Sequence, residues 1–315
     1  MATLRTSTAQ PAGALHIGWQ ALRHSINWLY LVPALVFFIG YQVYPIIQVF
    51  LISFTDYHYL RPGPAAWVGL QNYVNALGDP LVGQGLLRAA AFTVMFLPGT
   101  IFVPLFLAIL VDRVKNKRLS VLYRMILLIP AVIPGPMIFI LWKWMYDFEI
   151  GPINHLLVDV LHLFTFRTAP QWLGNSALAL PAIAVMEVWW GLGYHTMFFL
   201  AGLASIPHEL FDAAKVDGAN EWKMFWHVTR PRLQPVLLIL VVLRFGSAMA
   251  VIDEYLIMGG FNRALPTYTW TVYMWHLGFQ LGDWFQGYAA AIGWIGAAAM
   301  LVVVVFLFRI FRNRD

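Results

Sequence analysis

The chain has 315 residues, of which 60% are hydrophobic and only 11% are charged, and its formal net charge is +5. Soluble domains carry about 25% charged residues, so the composition excludes a soluble enzyme, a disordered protein and a nucleic-acid-binding module. It leaves a polytopic membrane protein. The chain has no cysteine, which excludes disulfides, thiol chemistry and Cys-ligated zinc.

A helix needs about 20 mostly apolar residues to cross the bilayer core. Six stretches qualify, in chain order 26–54, 86–111, 121–146, 177–204, 235–257 and 288–311. Prolines fall inside the first three, at Pro33 and Pro45, at Pro98 and Pro104, and at Pro130, Pro134 and Pro136. Neighbouring helices can satisfy the carbonyls that such prolines free. The runs are continuous rather than alternating, which argues against strands. An N-terminal segment, 1–25, precedes a single transmembrane domain over 26–312, and no linker or internal repeat divides that domain.

Lysine and arginine set the orientation. Arg5 and Arg23 precede the first span; Arg113, Lys115, Lys117 and Arg118 follow the second; Lys215, Lys223, Arg230 and Arg232 follow the fourth; Arg309, Arg312 and Arg314 end the chain. The alternate loops hold Arg61, Arg88, Arg167 and Arg263. Both termini are therefore expected in the cytoplasm. The first apolar run is too long for a cleaved signal peptide. The outward loops contain Gln71-Asn72-Tyr73 and Gly151-Pro152-Ile153-Asn154 beside Trp67 and Trp172, aromatics that suit an interfacial belt.

Catalytic motifs are missing. None of the five lysines follows a glycine, so there is no P-loop. His208-Glu209-Leu210-Phe211-Asp212 begins a zinc-protease signature but lacks its second histidine, and no Gly-x-Ser-x-Gly elbow occurs. A transporter or channel is favoured over an intramembrane enzyme.

The loop between the fourth and fifth spans, 205–235, carries the strongest local signal. Ser205 is expected to cap a helix whose first turn holds Pro207 and Glu209 and which runs to about Val216. Asp217-Gly218 reads as a break, Asn220 as the cap of a second short helix opening with Glu221, and Pro231 as its end. The product is a cytoplasmic helix-turn-helix. Apolar Phe211, Trp222, Phe225 and Trp226 alternate with charged Glu209, Asp212 and Lys215. A helix lying on anionic lipid should be more basic than this charge-balanced loop. A short two-sided element instead suits docking into a protein groove.

This loop resembles the coupling loop of binding-protein-dependent ABC importer permeases. That motif runs Glu-Ala-Ala, three residues, Gly, nine residues, an aliphatic, one residue, then Leu-Pro. Here Asp212-Ala213-Ala214, Gly218, Val228 and Arg230-Pro231 keep every spacing. Asp212 stands for the usual Glu and Arg230 for the usual Leu. The resemblance covers roughly 28–312 and is nearest the carbohydrate-importer branch, in its first permease subunit. It is carried also by Val68-Gly69-Leu70-Gln71-Asn72-Tyr73, Trp189-Trp190-Gly191-Leu192-Gly193 and Gly287-Tyr288-Ala289-Ala290-Ala291.

The resemblance implies an all-α type I importer permease fold and a bacterial or archaeal inner-membrane location. It implies a second permease subunit, two ATPase subunits that use ATP and Mg, and an extracytoplasmic substrate-binding protein, with no cofactor on this chain. Glu209, Asp212, Ala213, Ala214, Asp217, Gly218, Trp222, Phe225 and Pro231 would then contact the ATPase. A sugar or polyol is the implied substrate. The alternative is an ion-coupled secondary carrier active on its own.

Two charges remain inside the spans. Glu187 and Arg244 each lie about ten residues, or ~15 Å, into their helices, near the midplane where charges are costly and face the protein interior. They form either a structural ion pair or a polar patch on the substrate path. Trp189, Trp190 and Tyr194 nearby either line that path or pack between helices. Lys143 is expected to snorkel to the interface, and Asp253-Glu254 to help line the outward mouth.

Overall fold

The computed structural model describes residues 29–312 except 62, 281, 283 and 284. Residues 1–28 and 313–315, including Arg5, Arg23, Arg314 and the start of the first predicted span, lie outside the described residues. Among the described residues there is no strand, and only two isolated bridges, Thr55–Trp67 and His58–Phe285, interrupt a helical chain.

The first span is α1, Val32–Ile52. It widens into a π-turn at Ile39–Val43 just before Pro45, where the missing proline N–H would otherwise leave a gap in the ladder. A short helix, α2 (Gln71–Gly78), is followed by α3, Pro80–Asp112, 33 residues long. The sequence places this span at 86–111. It starts earlier because Asp79 caps it, its Oδ1 accepting from Leu81 N–H at 2.8 Å. Pro98 and Pro104 sit inside it without ending it.

The third predicted span is not one helix. It is α4 (Lys117–Val132) and α5 (Gly135–Met145), which meet at 91°. Pro134 and Pro136 supply the cause, since the residue before a proline is pushed out of the α region and Ile133 has ψ of 131°. A small outer helix, α6 (Pro152–His155), continues into a π-turn, Leu156–Val160. Next comes α7, Ala179–Ala204.

Among the described residues three helices, α1, α3 and the last, are long and apolar enough to cross a membrane, and up to five segments are if each bent pair counts as one. The helix α7 is not among them. Its 26 residues reach about 39 Å, but its middle carries Glu187, Tyr194, His195 and Thr196. It tolerates all but Tyr194 of these on the face that packs against protein. It packs along α3 and α4, and Glu187, His195 and Thr196 are all buried.

After α7 the chain forms a hairpin of α8 (His208–Val216) and α9 (Glu221–Arg232), then α10 (Gln234–Met249), bent 66° from α9. The fifth predicted span, 235–257, therefore ends early. An irregular turn at 250–252 separates it from α11, Asp253–Met258. Two further helices follow, α12 (Trp270–Phe279) and α13 (Gln286–Arg312). Composition did not reveal α12. It is ten residues long and packs against α3 and α13.

Two apolar clusters hold the bundle. The larger joins Phe92 and Phe96 of α3, Ile138 of α5, Ile183 and Met186 of α7, and Tyr255 of α11. The smaller lies toward the hairpin and joins Leu105 and Ala108 to Phe199, Leu233 and Leu240. Gly193 lets α7 approach α4 closely, because a Cβ there would strike the Leu127 carbonyl and the Leu128 Cα.

Candidate functional site

Two features stand out, one against the middle of α7 and one beyond its C-terminal end. The first is a polar cavity between α3, α7, α10 and α11. It measures about 300 Å³ and is lined by Phe96, Glu187, Trp190, Arg244, Ser247 and the Asp253-Glu254 pair. Arg244 donates from Nη2 to Glu187 Oε2 at 3.5 Å, and its guanidinium lies 4.8 Å from the Phe96 ring centroid. Such a cation–π contact gains most where water is excluded. Glu187 is 5% exposed. Glu254 is close enough for the two carboxyls to interact. Among the described residues, the buried Arg244 Nε has no hydrogen-bond partner.

The break at 250–252 brings the acids here. A straight α10 would carry Asp253 and Glu254 onward along the helix axis. Instead the chain turns, and α11 presents them beside Glu187. The charge set facing the cavity is thus three carboxyls and one guanidinium.

The aromatics predicted beside this pair divide. Trp190 lines the cavity, donates from Nε1 to Ile133 O at 3.3 Å, and meets Phe139 edge-on at 5.4 Å. It ties α7 to the α4–α5 break. Trp189 faces elsewhere and packs on Trp142 at 5.4 Å. Tyr194 is exposed and packs on Phe198. Trp189 and Tyr194 therefore do not share the cavity with Glu187. Lys143 does not simply snorkel: its Nζ donates to Ile257 O at 2.7 Å, holding a free carbonyl in the last turn of α11.

The second feature is the hairpin. The α8 C-terminus is a Schellman motif: Ala219 N–H bonds Ala214 O at 2.9 Å, Gly218 N–H bonds Lys215 O at 3.0 Å, and Gly218 has φ of +73°. Asn220 Oδ1 accepts from Lys223 N–H at 2.9 Å, as a cap should. Two expectations fail. Ser205 does not cap α8; its Oγ donates back to Gly202 O at 2.7 Å, closing the end of α7, and Pro207 takes the cap position. Pro231 does not end the second helix either. A π-turn, Phe225–Thr229, lets Arg230 N–H reach back to Phe225 O, and the wider turn seats the proline without the usual clash. The bend comes two residues later, at Leu233.

The hairpin presents Glu209, Asp212, Ala213, Asp217, Gly218 and Trp222 as exposed, with Val216 at 89%. Trp222 and Phe225 form a ring cluster with Trp226, while Phe225 also packs against the smaller core. Arg230, the residue in place of the motif leucine, stacks on Trp226 at 5.1 Å. Arg113 at the end of α3 pairs with Glu221 and links the hairpin to the longest span. Sequence reasoning missed Phe96 and Arg113, and nothing local to either residue marks it as a contact with a residue more than a hundred positions away.

Comparison with known proteins agrees with this architecture. The arabinooligosaccharides transport system permease protein AraP of Bacillus subtilis is 29% identical over 96% of this chain and 95% of its own length. A probable ABC transporter permease protein of Pyrococcus horikoshii, PH1215, is 31% identical over 88% of this chain and 92% of its own. A chain from the crystal structure of a bacterial ABC transporter that imports the acidic polysaccharide alginate superposes with a TM-score of 0.80 at 22% identity, covering 95% of this chain and 99% of that one. A second structure of an alginate transporter, in complex with its alginate pentasaccharide-bound periplasmic protein, matches equally well. Residues 100–315 match the family described as the binding-protein-dependent transport system inner membrane component. With its helical fold, the buried polar face of α7 and its hairpin of Asp212-Ala213-Ala214 and Gly218, the chain belongs to that family of ABC transporter permeases.

Proposed function

We propose that this chain is one permease subunit of an ATP-driven importer for a sugar or related polyol, with both termini in the cytoplasm and no catalytic role of its own. It would pair with a second permease subunit, receive substrate from an extracytoplasmic binding protein, and be driven by two ATPase subunits that bind ATP and Mg. The observation that carries this reading is the hairpin. Its turn is fixed by the Asn220 cap and the left-handed Gly218, and among the described residues Val216 and Trp222 beside that turn stay exposed. A groove on another protein is what such a tip fits. Family membership sets aside the self-sufficient ion-coupled carrier.

The cavity at Glu187 and Arg244 is proposed as part of the substrate path. Its volume suits a single sugar ring, whose hydroxyls both donate and accept, and Arg244 Nε offers an unused donor. Three carboxyls against one guanidinium favour a neutral sugar over an acidic one. Reconstitution in vesicles tests the reading. Uptake of a labelled neutral pentose oligosaccharide should require ATP and the binding protein, and should exceed that of an acidic uronate oligosaccharide. Uptake by the purified chain alone, without ATPase subunits, would contradict the reading.

A further inference from the structure

The segment between α5 and α7, residues 146–178, is not used by the cavity or the hairpin. It lies at the end of α7 opposite the hairpin. Its base is pinned by one buried side chain. Asn154 Nδ2 donates to Phe148 O at 3.2 Å and to Pro170 O at 3.0 Å, and its Oδ1 accepts from Trp172 Nε1 at 2.9 Å. One residue thus holds both strands of the loop together.

Beyond that base the chain runs Leu-Leu-Val-Asp-Val-Leu-His-Leu-Phe-Thr-Phe over 156–166, so eight of these eleven residues are large and apolar. The tip is locally ordered. The π-turn Leu156–Val160 ends where His162 takes a left-handed φ of +50°, its Nδ1 meeting Val158 O at 3.0 Å, and Leu163 N–H returns to Leu157 O at 2.9 Å. Phe166 packs back on Phe148 at 5.2 Å. With the backbone so fixed, the side chains do not fold into the core. Leu156, Val160, Leu161, Leu163, Phe164 and Phe166 are all exposed, Leu163 by 65%. Two polar side chains of the turn, His155 and Asp159, meet each other at 2.5 Å.

We propose that the loop tip at 156–166 is a membrane-interface anchor that seats in the lipid headgroup and upper acyl region beside the outer end of the bundle. Three features favour lipid as the occupant. The loop joins α5 to α7, and Ile153, Trp172 and Leu173 pack against the larger core beside them, with Trp172 on Tyr146 at the end of α5, so the tip is held at that end of the bundle. A contact with a water-soluble protein is on average no more apolar than the rest of a protein surface, and this tip is far more apolar than that. An apolar element whose polar side chains satisfy each other is the form that lies in an interface plane.

The lack of cysteine makes the test direct. Leu163→Cys and Phe166→Cys would each be spin-labelled in the assembled importer, in lipid nanodiscs with cysteine-free partner subunits. Glu149→Cys at the loop base is the aqueous reference. The anchor predicts collision with oxygen several-fold above collision with a water-soluble nickel chelate at 163 and 166, and the reverse at 149. It also predicts stronger broadening at 163 and 166 by lipids spin-labelled near the headgroup than by lipids labelled at the acyl-chain end. Nickel access at all three sites would overturn the proposal in favour of a water-facing loop. Protection from both reagents would overturn it in favour of a protein partner. If either variant fails to assemble, Val160→Cys gives the same reading.

Discussion

The cavity lies against the middle of α7 and the hairpin beyond its C-terminal end, and the two are built by opposite means. The hairpin is a local object. Its cap, its left-handed glycine and its π-turn are all satisfied within 30 residues, and its tip is exposed. The cavity is a tertiary object. Phe96, Glu187, Arg244 and Glu254 come from four helices, and the charges are tolerable only because each neutralises or solvates another. Damage to the cavity should therefore appear as lost stability together with lost transport. Damage to the hairpin should leave an assembled protein that no longer couples.

The largest effect is expected at the cavity. Replacing Arg244 by Ala leaves the buried carboxyls without their cation, which costs about 3–5 kcal/mol, whereas Glu187→Ala removes the hydrogen-bonded partner of Arg244 but leaves it Asp253 and Glu254, at a smaller cost. Thermal denaturation in detergent should show a marked drop in Tm for Arg244→Ala and a smaller one for Glu187→Ala. If Glu187→Ala and Arg244→Ala both melt and transport like the parent, the cavity has neither role. The double variant Glu187→Gln with Arg244→Gln should recover stability while transport stays impaired, which separates the structural share from the path.

Next is Gly218→Val. A Cβ at this position meets nothing within 4 Å, so space is not the obstacle. The left-handed backbone is, at about 1–2 kcal/mol and more for a β-branched residue. The variant should assemble normally but lose most uptake, with ATP hydrolysis no longer tied to substrate. Gly218→Asn, which tolerates this φ, should keep more uptake than Gly218→Val; equal loss in both would break the turn argument. Asn220→Ala removes the cap, at about 1 kcal/mol, and should lower coupled ATPase activity modestly without changing cavity-dependent stability. Arg113→Ala should do least, because an exposed ion pair contributes ~0.2–1 kcal/mol. A several-fold loss of uptake from Arg113→Ala would mean that the hairpin depends on α3 more than its own caps suggest.

The same contrast explains what the sequence revealed. The hairpin was legible because Asn220, Gly218 and the Asp212-Ala213-Ala214 spacing act within a few residues. Even there Ser205 and Pro231 misled, since Ser205 had a nearer carbonyl at Gly202 and a π-turn accommodated Pro231. For the cavity, matched depth on neighbouring spans pointed to Glu187 and Arg244. It could not choose between Trp189 and Trp190, which project about 100° apart on the same helix. In a helix that is apolar on most sides, no periodicity marks the face that meets Phe96. The 91° break after Val132 and the turn at 250–252 were also hidden, because a run of apolar residues reads as one span however it bends.

The central claim is that the hairpin tip transmits work from an ATPase subunit. Val216, 89% exposed beside Gly218, is the place to test it, since Val216→Cys would be the only thiol in the chain. In the assembled importer this cysteine should cross-link to an ATPase subunit carrying a surface-cleft cysteine, be shielded from aqueous maleimide, and change its cross-linking yield when ATP is added. Free labelling by maleimide in the intact complex, with no cross-link in any nucleotide state, would contradict the account.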